Sequence, residues 1–317
     1  MRIGIPRALY YYRYFPFWQS FFEDLGCQVV VSDKTTRNTM DVGVSLTVDG
    51  LCLPVKVYVG HVSELIDKDI DYLFVPRIIS TAKREYICPK FMGLPDIVKN
   101  SIKNCPPILA PVVDGRVSSL NIMKAYVKLG MRFAPLPQAS FAYLKSVKKQ
   151  HQYETAAREK NLNNPKNIVF DYLTIGILGH EYLINDDYIN MGTMRWLKAA
   201  NCRIVTMEEL TESTINRHVG KLKLKRMFWT SGKRLLGAFH HFRGRVDGII
   251  SIAAFSCGTD SLTMDLVERY SCRYHVPHFQ LSLDEHTGEA GVITRLEAFL
   301  ELLIRRKKLE ADHAAYG

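Results

Sequence analysis

The sequence predicts an α/β fold with parallel sheets, divided into two similar domains. Short strand segments alternate with helical segments of about 10–15 residues, which is typical of consecutive βαβ units. The alternation restarts after residues 144–166, a charged segment rich in Gln and Asn. The chain has 317 residues, whereas one domain usually has about 100–200. We therefore expect a first domain over residues 1–150 and a second over residues 166–317.

The first half provides the clearest alternation of strands and helices. An aromatic-rich helix is predicted at 16–25, where proline stands at its start and Gly26 at its end. Other strands are predicted at 2–6, 27–32, 72–76 and 108–113, and other helices at 53–66, 96–102 and 118–129. Residues 144–166 are interpreted as a surface helix followed by a linker.

The second half repeats features of the first. The tripeptide Ile3-Gly4-Ile5 is echoed by Ile175-Gly176-Ile177, and the strand after Gly26 is echoed by the strand after Asn201. Gly and Asn both tolerate the left-handed conformation that ends many helices. Further strands are predicted at 203–207, 248–254 and 278–283, and further helices at 259–270 and 292–306. The repetition favours a duplicated α/β unit over chance similarity.

Charge and hydropathy restrict the class of protein. Lys and Arg number 42 against 32 Asp and Glu, giving a net charge of +10, which permits an acidic or phosphate-bearing partner. The longest apolar stretch, 249–255, falls short of the ~20 residues of a membrane helix. The N-terminal segment contains Arg2, Pro6 and Arg7, which argues against a signal peptide. We expect a cytoplasmic protein with no membrane association.

Nine of the positive charges lie in one stretch, residues 217–245, and no Asp or Glu occurs between Ser213 and Val246. The first interpretation is a solvated helix face. The alternative is a docking surface for a phosphate-bearing ligand such as CoA or for an acidic electron-donor protein. The absence of a recognised binding motif beside the charge argues against nucleic acid as the partner.

The seven cysteines do not predict disulfides, because their number is odd, the chain is large and no secretion signal is evident. The absence of a CxxC pair argues against zinc-ribbon and thioredoxin motifs. Cys27 and Cys202 each open a strand and are predicted to pack in a core. Cys272 is placed in a loop before a strand, and Cys105 precedes a Pro-Pro pair.

The other three cysteines share a different context. Cys52, Cys88 and Cys257 each lie next to Pro or Gly in a segment predicted to lead from a strand into a helix. Open α/β sheets bind ligands beyond the carboxyl ends of their strands. Thiolates that converge from separate loops suit a soft metal or an iron–sulfur cluster. The alternative is that they are ordinary loop cysteines.

Several motifs resemble those of proteins related to the 2-hydroxyacyl-CoA dehydratases and their activases, the acyl-CoA dehydratase activase-related group. Together they span both halves of the chain. They are Ile3-Gly4-Ile5-Pro6-Arg7, Pro16-Phe17-Trp18 with Phe21-Phe22, the segments 52–61 (CLPVKVYVGH) and 88–95 (CPKFMGLP), Phe255-Ser256-Cys257-Gly258-Thr259-Asp260-Ser261, and the segment 283–291 (LDEHTGEAG) with 294–299 (TRLEAF).

The resemblance implies two Rossmann-like lobes with a [4Fe–4S] cluster in the interdomain cleft. Carried over by position, its ligands are Cys52, Cys88 and Cys257. Three protein ligands leave one iron open, and in the dehydratases substrate chemistry occurs there. A double-cubane [8Fe–9S] cluster is the lesser alternative, because this sequence has no doubled-cysteine motif.

The resemblance also implies a function and a partner. The Gly-rich phosphate loops of the activase ATPase are not evident in this sequence, so electrons would come from a separate ATP-dependent activator or another low-potential donor. The implied activity is low-potential electron transfer, or reductive chemistry of a lyase or reductase. The competing class is a non-catalytic iron–sulfur carrier or scaffold. The dehydratases pair unlike subunits, which leaves a homodimer or a heterodimer open.

Residues near these motifs have two interpretations each. Lys56 lies one helical turn after Cys52 and is expected to be solvated, although it would also offset cluster charge. His61 is either a hydrogen-bond donor near the cluster or an ordinary helix histidine. The acidic run 284–289 serves either proton transfer or the orientation of the C-terminal helix.

Overall fold

The structure is a computed structural model that describes residues 1–162, 173–222 and 227–316. The chain divides into two compact units, called unit 1 and unit 2 below. Unit 1 comprises Met1–Ala157 and Arg226–Thr230, and unit 2 comprises Arg158–Lys225 and Ser231–Gly317. Among the described helices, none combines the length and the apolar character needed to cross a membrane.

Unit 1 is built on a four-stranded parallel sheet with the order β2-β1-β3-β5. A separate two-stranded parallel sheet joins β4 to β6. In chain order its elements are β1 (Arg2–Ile5), α1 (Tyr11–Asp24), β2 (Gln28–Val31), α2 (Arg37–Ser45), α3 (Leu53–Ile66), β3 (Tyr72–Phe74), β4 (Arg77–Ser80), α4 (Pro89–Met92), α5 (Leu94–Ser101), β5 (Ile108–Leu109), β6 (Val112–Asp114), α6 (Ser119–Gly130) and α7 (Leu136–Leu162), whose residues from Arg158 onward belong to unit 2.

The core of unit 1 includes β1 and the aromatic face of α1, which contacts β3 where the Phe22 and Phe74 rings lie 5.1 Å apart. Ile3 and Ile5 are fully buried, as are Phe21 and Phe22. Helix α1 begins at Tyr11 and contains Pro16, whereas the sequence predicted a start at 16 because proline favours the first helical turn. The aromatic residues before Pro16 therefore continue the helix.

A proline interrupts the chain at two of the predicted strands. The strand expected at 72–76 is the shorter β3, after which β4 follows as an additional strand, and the strand expected at 108–113 is divided into β5 and β6. Pro76 and Pro111 stand between the two parts. Proline has no N–H for the strand ladder. At each of these prolines the chain therefore leaves the four-stranded sheet and enters the two-stranded sheet.

Unit 2 has a four-stranded parallel sheet with the order β10-β9-β7-β8. Strand β9 is buried at all seven of its residues, which agrees with the uninterrupted apolar pattern of its sequence. The elements are β7 (Thr174–Gly179), α8 (Glu181–Ile184), α9 (Thr193–Ala199), β8 (Arg203–Thr206), α10 (Glu212–Val219), α11 (Thr230–Phe242), β9 (Gly248–Ala254), α12 (Gly258–Tyr274), β10 (His278–Leu283) and α13 (Glu289–Tyr316).

The sequence repeat corresponds to a repeat of topology. In both sheets the first strand of the unit lies between the second and the third, and the fourth strand follows the third. The echoed tripeptides lie in β1 and β7, the first strands of the two sheets. Gly26 and Asn201 both have positive φ, +76° and +55°, as predicted for helix ends that lead directly into a strand.

Two predictions are altered by helix length. Cys272 lies within α12, which extends to Tyr274 and ends at His275 with φ of +53°, so the loop predicted for this cysteine is wrong. The surface helix predicted within 144–166 is confirmed as part of α7, and residues 163–166 of the expected linker lie outside the described residues.

Helices α2 and α3 approach each other closely at two glycines. A Cβ at Gly43 would lie 2.0 Å from the Lys56 carbonyl oxygen, and a Cβ at Gly60 would lie 1.9 Å from the Thr39 carbonyl oxygen. Both obstacles are backbone atoms, so relief requires moving a helix. The pair of glycines therefore holds the two helices at a distance that no other residue permits.

We expect Gly60→Ala and Gly43→Ala to destabilise the protein by about 1–3 kcal/mol, because the clash outweighs the better helix propensity of alanine. The measurement is the free energy of unfolding in denaturant. Gly291→Ala is the matched control, since Gly291 lies in α13 with open space around its Cα. A neutral result for Gly60→Ala would contradict the close packing.

Candidate metal centre

In each four-stranded sheet the second strand pairs with one side of the first strand, and the third strand pairs with the other side. From β1 the chain proceeds to β2 on one side and later to β3 on the other, and β7, β8 and β9 repeat this arrangement. The crevice at such a switch point, beyond the carboxyl ends of the two central strands, is where open α/β sheets bind ligands. The loop after β9 and the loop after β7 therefore define a candidate site in unit 2.

Cys52 occupies the N-cap of α3, with Pro54 in the first helical turn. Its side chain is buried. The sequence predicted a strand-to-helix loop, but α2 lies between β2 and Cys52, so this cysteine stands in a helix-to-helix loop. Its position consequently depends on the α2–α3 packing.

Cys88 is the N-cap of α4, and Pro89 opens that helix. It follows β4, so the predicted strand-to-helix loop is confirmed here. Lys90 Nζ donates a hydrogen bond to the Gly50 carbonyl oxygen at 3.4 Å. Because Gly50 is two residues before Cys52 and Lys90 is two residues after Cys88, the two cysteine segments lie side by side within unit 1.

Cys257 is the N-cap of the 17-residue helix α12 and directly follows the loop after β9. Its side chain is buried, and its Sγ lies 3.5 Å from the Thr259 hydroxyl oxygen. Ser256, just before it, has φ of +64°, a conformation that is uncommon outside glycine. The turn places the thiol at the positive end of a long helix, where a thiolate is stabilised.

The structure brings two further residues to Cys257. His180, the N-cap of α8 after β7, has its Nε2 2.9 Å from Asp260 Oδ1. One ligand atom from each of His180, Cys257 and Asp260 lies within 4.8 Å of the others. Asp260 is 1% exposed, and among the described residues its Oδ2 has no hydrogen-bond partner.

The electrostatics of this group are dominated by His180. Burial lowers the pKa of the imidazole, but the Asp260 carboxylate and Cys257 outweigh burial and raise the pKa well above its usual value. The ring also stacks on Tyr182, with centroids 4.7 Å apart and an interplanar angle of 9°. The imidazole is therefore oriented from two sides.

Sequence reasoning did not identify His180 or Asp260 as site residues. A signal was present for each: His180 directly follows Gly179 at the end of β7, and Asp260 lies in the first turn after Cys257. Only the pairing of β7 with β9 places the two loops together. That pairing was not predictable from the local sequence.

Two interpretations of residues near Cys52 are settled by burial. Lys56 is only 2% exposed, so the expectation of a solvated lysine is wrong. His61 is fully buried, and its Nε2 lies 3.0 Å from the Thr35 hydroxyl. Its Nδ1 has no hydrogen-bond partner among the described residues. The Thr35 contact favours the interpretation of His61 as an ordinary helix histidine.

The acidic run after β10 orients the chain that enters α13. Asp284 Oδ1 accepts hydrogen bonds from the Thr287 hydroxyl at 2.7 Å and from the His286 N–H at 3.0 Å. Glu289 pairs with Arg195 at 3.2 Å on the surface. The orienting interpretation of this run therefore fits these contacts better than proton transfer.

The basic stretch is not uniformly a solvated face. Lys233 and Arg234 are buried, and Arg234 Nη1 lies 3.1 Å from Glu181 Oε1 in a buried ion pair. The guanidinium of Arg243 lies 3.8 Å from the centroid of the Tyr274 ring. These three cations contribute to the internal packing of unit 2, which corrects the expectation of a solvated face for Lys233 and Arg234.

The remaining cysteines differ in burial. Cys27 is buried, as predicted. Cys202 and Cys105 are half-buried, and Cys272 is exposed. Burial raises the pKa of Cys27, Cys105 and Cys202, which disfavours the thiolate, the form of cysteine that binds metals.

The fold and the site together define an α/β protein with cysteine-bearing loops at helix N-termini. The chain matches the family model described as the CoA enzyme activase uncharacterised domain over residues 2–210, and it belongs to that family. The matched region includes Cys52, Cys88 and His180, whereas Cys257 and Asp260 lie beyond it. No curated protein matches the chain.

The buried side chain of His61 should make the free energy of unfolding fall in acid. Burial lowers the pKa of His61 to about 4 from 6.5, with Arg7 and Lys68 lowering it further. Its contribution to stability is complete above pH 6.5 and falls as the pH drops towards 4, with a slope approaching about 1.4 kcal/mol per pH unit. We expect His61→Gln to flatten the pH dependence of unfolding, measured by denaturant titration between pH 7 and pH 4.

The control for this experiment is His151→Gln, because His151 is exposed on α7. It should retain the pH dependence of the wild type. If His61→Gln also retains that dependence, then His61 is not the neutral buried group described here.

Proposed function

We propose that this protein is an iron–sulfur protein of low-potential redox chemistry, with a [4Fe–4S] cluster held by Cys52, Cys88 and Cys257. The observation that carries the proposal is that each of these cysteines is the N-cap of a helix. Membership in the CoA enzyme activase family is consistent with such a role. A [4Fe–4S] cluster supplies a one-electron couple and, with three thiolate ligands, one iron open to a further ligand.

The donor set fits such a group. Thiolates are the ligands that iron–sulfur clusters use, and the N-termini of α3 and α12 offer backbone N–H groups that stabilise negative charge. Among the described cysteines, the four others are not helix N-caps. Their absence from such positions favours a single cubane with three ligands over a double-cubane cluster.

The roles of this chain's own residues follow from their placement. Pro54 and Pro89 stand in the first turns of α3 and α4, so the backbone at both cysteines is preset by a fixed φ. The buried Lys56, one turn after Cys52, adds positive charge near that thiolate. These residues would hold thiolates in place at little conformational cost.

The proposed partner is an ATP-dependent activator or another low-potential electron donor. The family description, which names CoA enzyme activases, supports an enzyme as partner. The proposed reaction is reductive chemistry on a small or CoA-linked substrate, as in a dehydratase-like lyase or a reductase. The competing function is a non-catalytic cluster carrier or scaffold, and turnover with activator and ATP distinguishes the two.

We expect Cys52→Ala, Cys88→Ala and Cys257→Ala each to abolish or degrade the cluster. The measurements are iron and sulfide per chain and the visible and electron paramagnetic resonance spectra after anaerobic reconstitution. The wild type should be brown and contain about four irons per chain, as the formula of the cluster requires.

Cys27→Ala, Cys202→Ala and Cys272→Ala are the controls, because these residues lie away from the three helix N-caps. They should retain the iron of the wild type, although Cys27→Ala should lose packing energy. A colourless, iron-free wild type after reconstitution would overturn the proposal. Equal iron loss in all six variants would show that the ligands were wrongly assigned.

The ligand assignment also makes an architectural prediction. Cys52 and Cys88 belong to unit 1 and Cys257 belongs to unit 2, so a cluster bound by all three would join the units, as expected of a cluster in the interdomain cleft. Because the metal would bind only the joined form, its binding energy would stabilise that form. We expect the cluster-bound protein to be more compact in small-angle scattering and to melt at a higher temperature than the cluster-free protein.

Cys257→Ala provides the control for this comparison, since it should behave like the cluster-free wild type with or without iron. If the two forms of the wild type have equal dimensions and equal melting temperatures, a cluster confined to one unit becomes the better description.

A further inference from the structure

Unit 1 contains a cavity of about 200 Å³ whose walls are mostly apolar. The described residues that line it come from α1, α6, α7 and the two-stranded sheet with the turn after β4. Its aromatic residues are Tyr14, Phe17, Trp18, Tyr126 and Tyr143. A cavity of about 150 Å³ with an apolar lining is large enough to bind benzene. The cavity in unit 1 can therefore hold one aromatic ring with small substituents.

One polar side chain of this cavity, Gln150, has an unused hydrogen-bond acceptor. Gln150 is only 9% exposed, and its Nε2 donates to the Arg13 carbonyl oxygen at 2.9 Å and to Glu154 Oε1 at 3.0 Å. Because both partners are acceptors, they identify the amide nitrogen and leave the amide oxygen on the other side. Gln150 Oε1 is buried and has no hydrogen-bond partner among the described residues. A buried carbonyl without a partner is costly, and a donor on a ligand would remove that cost.

The aromatic rings of the wall are fixed by contacts with one another. Trp18 Nε1 donates a hydrogen bond to the Tyr126 hydroxyl at 3.0 Å. The Phe17 ring meets the Tyr126 and Tyr143 rings edge to face, with centroids 4.8 Å and 5.8 Å apart. Such pairs attract each other beyond the effect of burying their area. A further ring inside the cavity would extend this arrangement, which favours an aromatic ligand over an aliphatic chain of equal volume.

The charge of the lining restricts the ligand further. None of the described residues that line the cavity is charged, and burial of an unpaired carboxylate or ammonium group is costly. We propose that the cavity binds a small neutral phenol, whose ring lies among the aromatic side chains and whose hydroxyl donates a hydrogen bond to Gln150 Oε1. This site does not rest on the proposed cluster, because the cluster ligands do not line the cavity.

The ligand has a route into the cavity beside α7. Val147 lines the cavity and is 44% exposed, and Tyr14 and Tyr143 are half-buried. The cavity is therefore open to solvent on this side, and entry does not require unit 1 to unfold.

The experiment measures the binding of p-cresol to the full chain through the resonances of isotope-labelled methyl groups. Addition of p-cresol should shift the methyl resonances of Ile122 and Val147, which line the cavity, and leave those of Ile175 and Ile250, buried in β7 and β9, in place. p-Fluorotoluene is similar in size but has no hydrogen-bond donor. p-Cresol should bind about fivefold to tenfold more tightly, which is the expected effect of one hydrogen bond to a buried acceptor.

Gln150→Met replaces the amide by an apolar side chain of similar length. In this variant p-cresol and p-fluorotoluene should bind with equal affinity, because neither meets the amide oxygen. Gln152→Met is the matched control, since Gln152 is an exposed glutamine of the same helix and should retain the preference for p-cresol. If Gln150→Met does not fold, the comparison of the two ligands in the wild type still tests the hydrogen bond.

Four results would overturn the proposal. Unshifted resonances of Ile122 and Val147 at millimolar p-cresol would show that the cavity does not bind a phenol. Equal affinity of the wild type for p-cresol and p-fluorotoluene would exclude the hydrogen bond to Gln150. Tighter binding of n-hexanol than of p-cresol would identify the cavity as a site for an aliphatic chain. Binding of p-toluate as tightly as p-cresol would contradict the preference for a neutral ligand.

Discussion

The reversal of strand order at the centre of each sheet is the constraint on which the candidate site depends. Parallel strands bring their carboxyl ends to one edge, so β7 and β9, which are neighbours, deliver the loops with His180 and Cys257 to the same place. The spacing of 77 residues between these side chains is closed by the sheet and by no local interaction. The four-stranded sheet of unit 1 has the same strand order, so the two units share one topology.

The second recurring feature is a cysteine at the first position of a helix. Cys52, Cys88 and Cys257 are all N-caps, yet in none of these caps does the side chain form the usual capping hydrogen bond. Ser, Thr, Asp and Asn are the residues that stabilise such positions, typically by about 1 kcal/mol over apolar substitutes. Cysteine at three helix starts therefore gives up capping energy, a cost for which the proposed metal-binding role would account.

Two buried ionic pairs of unit 2, Arg234–Glu181 and His180–Asp260, differ in what they contact. Arg234 and Glu181 form an ion pair between α11 and α8, and Arg234 Nε has no hydrogen-bond partner among the described residues. The His180–Asp260 pair lies beside a cysteine and leaves one carboxylate oxygen without a hydrogen bond among the described residues. The first pair fixes helices to one another, whereas the second holds an imidazole beside a thiol.

The sequence by itself determined the α/β class, β9 and β10 to the residue, the repeated first strands, and the left-handed helix ends at Gly26 and Asn201, because these features depend on local periodicity and backbone conformation. Its motifs also pointed to the three cysteines. The tertiary structure decided what depends on contacts between distant segments: the burial of Lys56, the helix-to-helix setting of Cys52, and the meeting of His180 with Asp260 and Cys257. Strand pairing and helix packing join residues far apart in the chain, and no local pattern encodes which of them will meet.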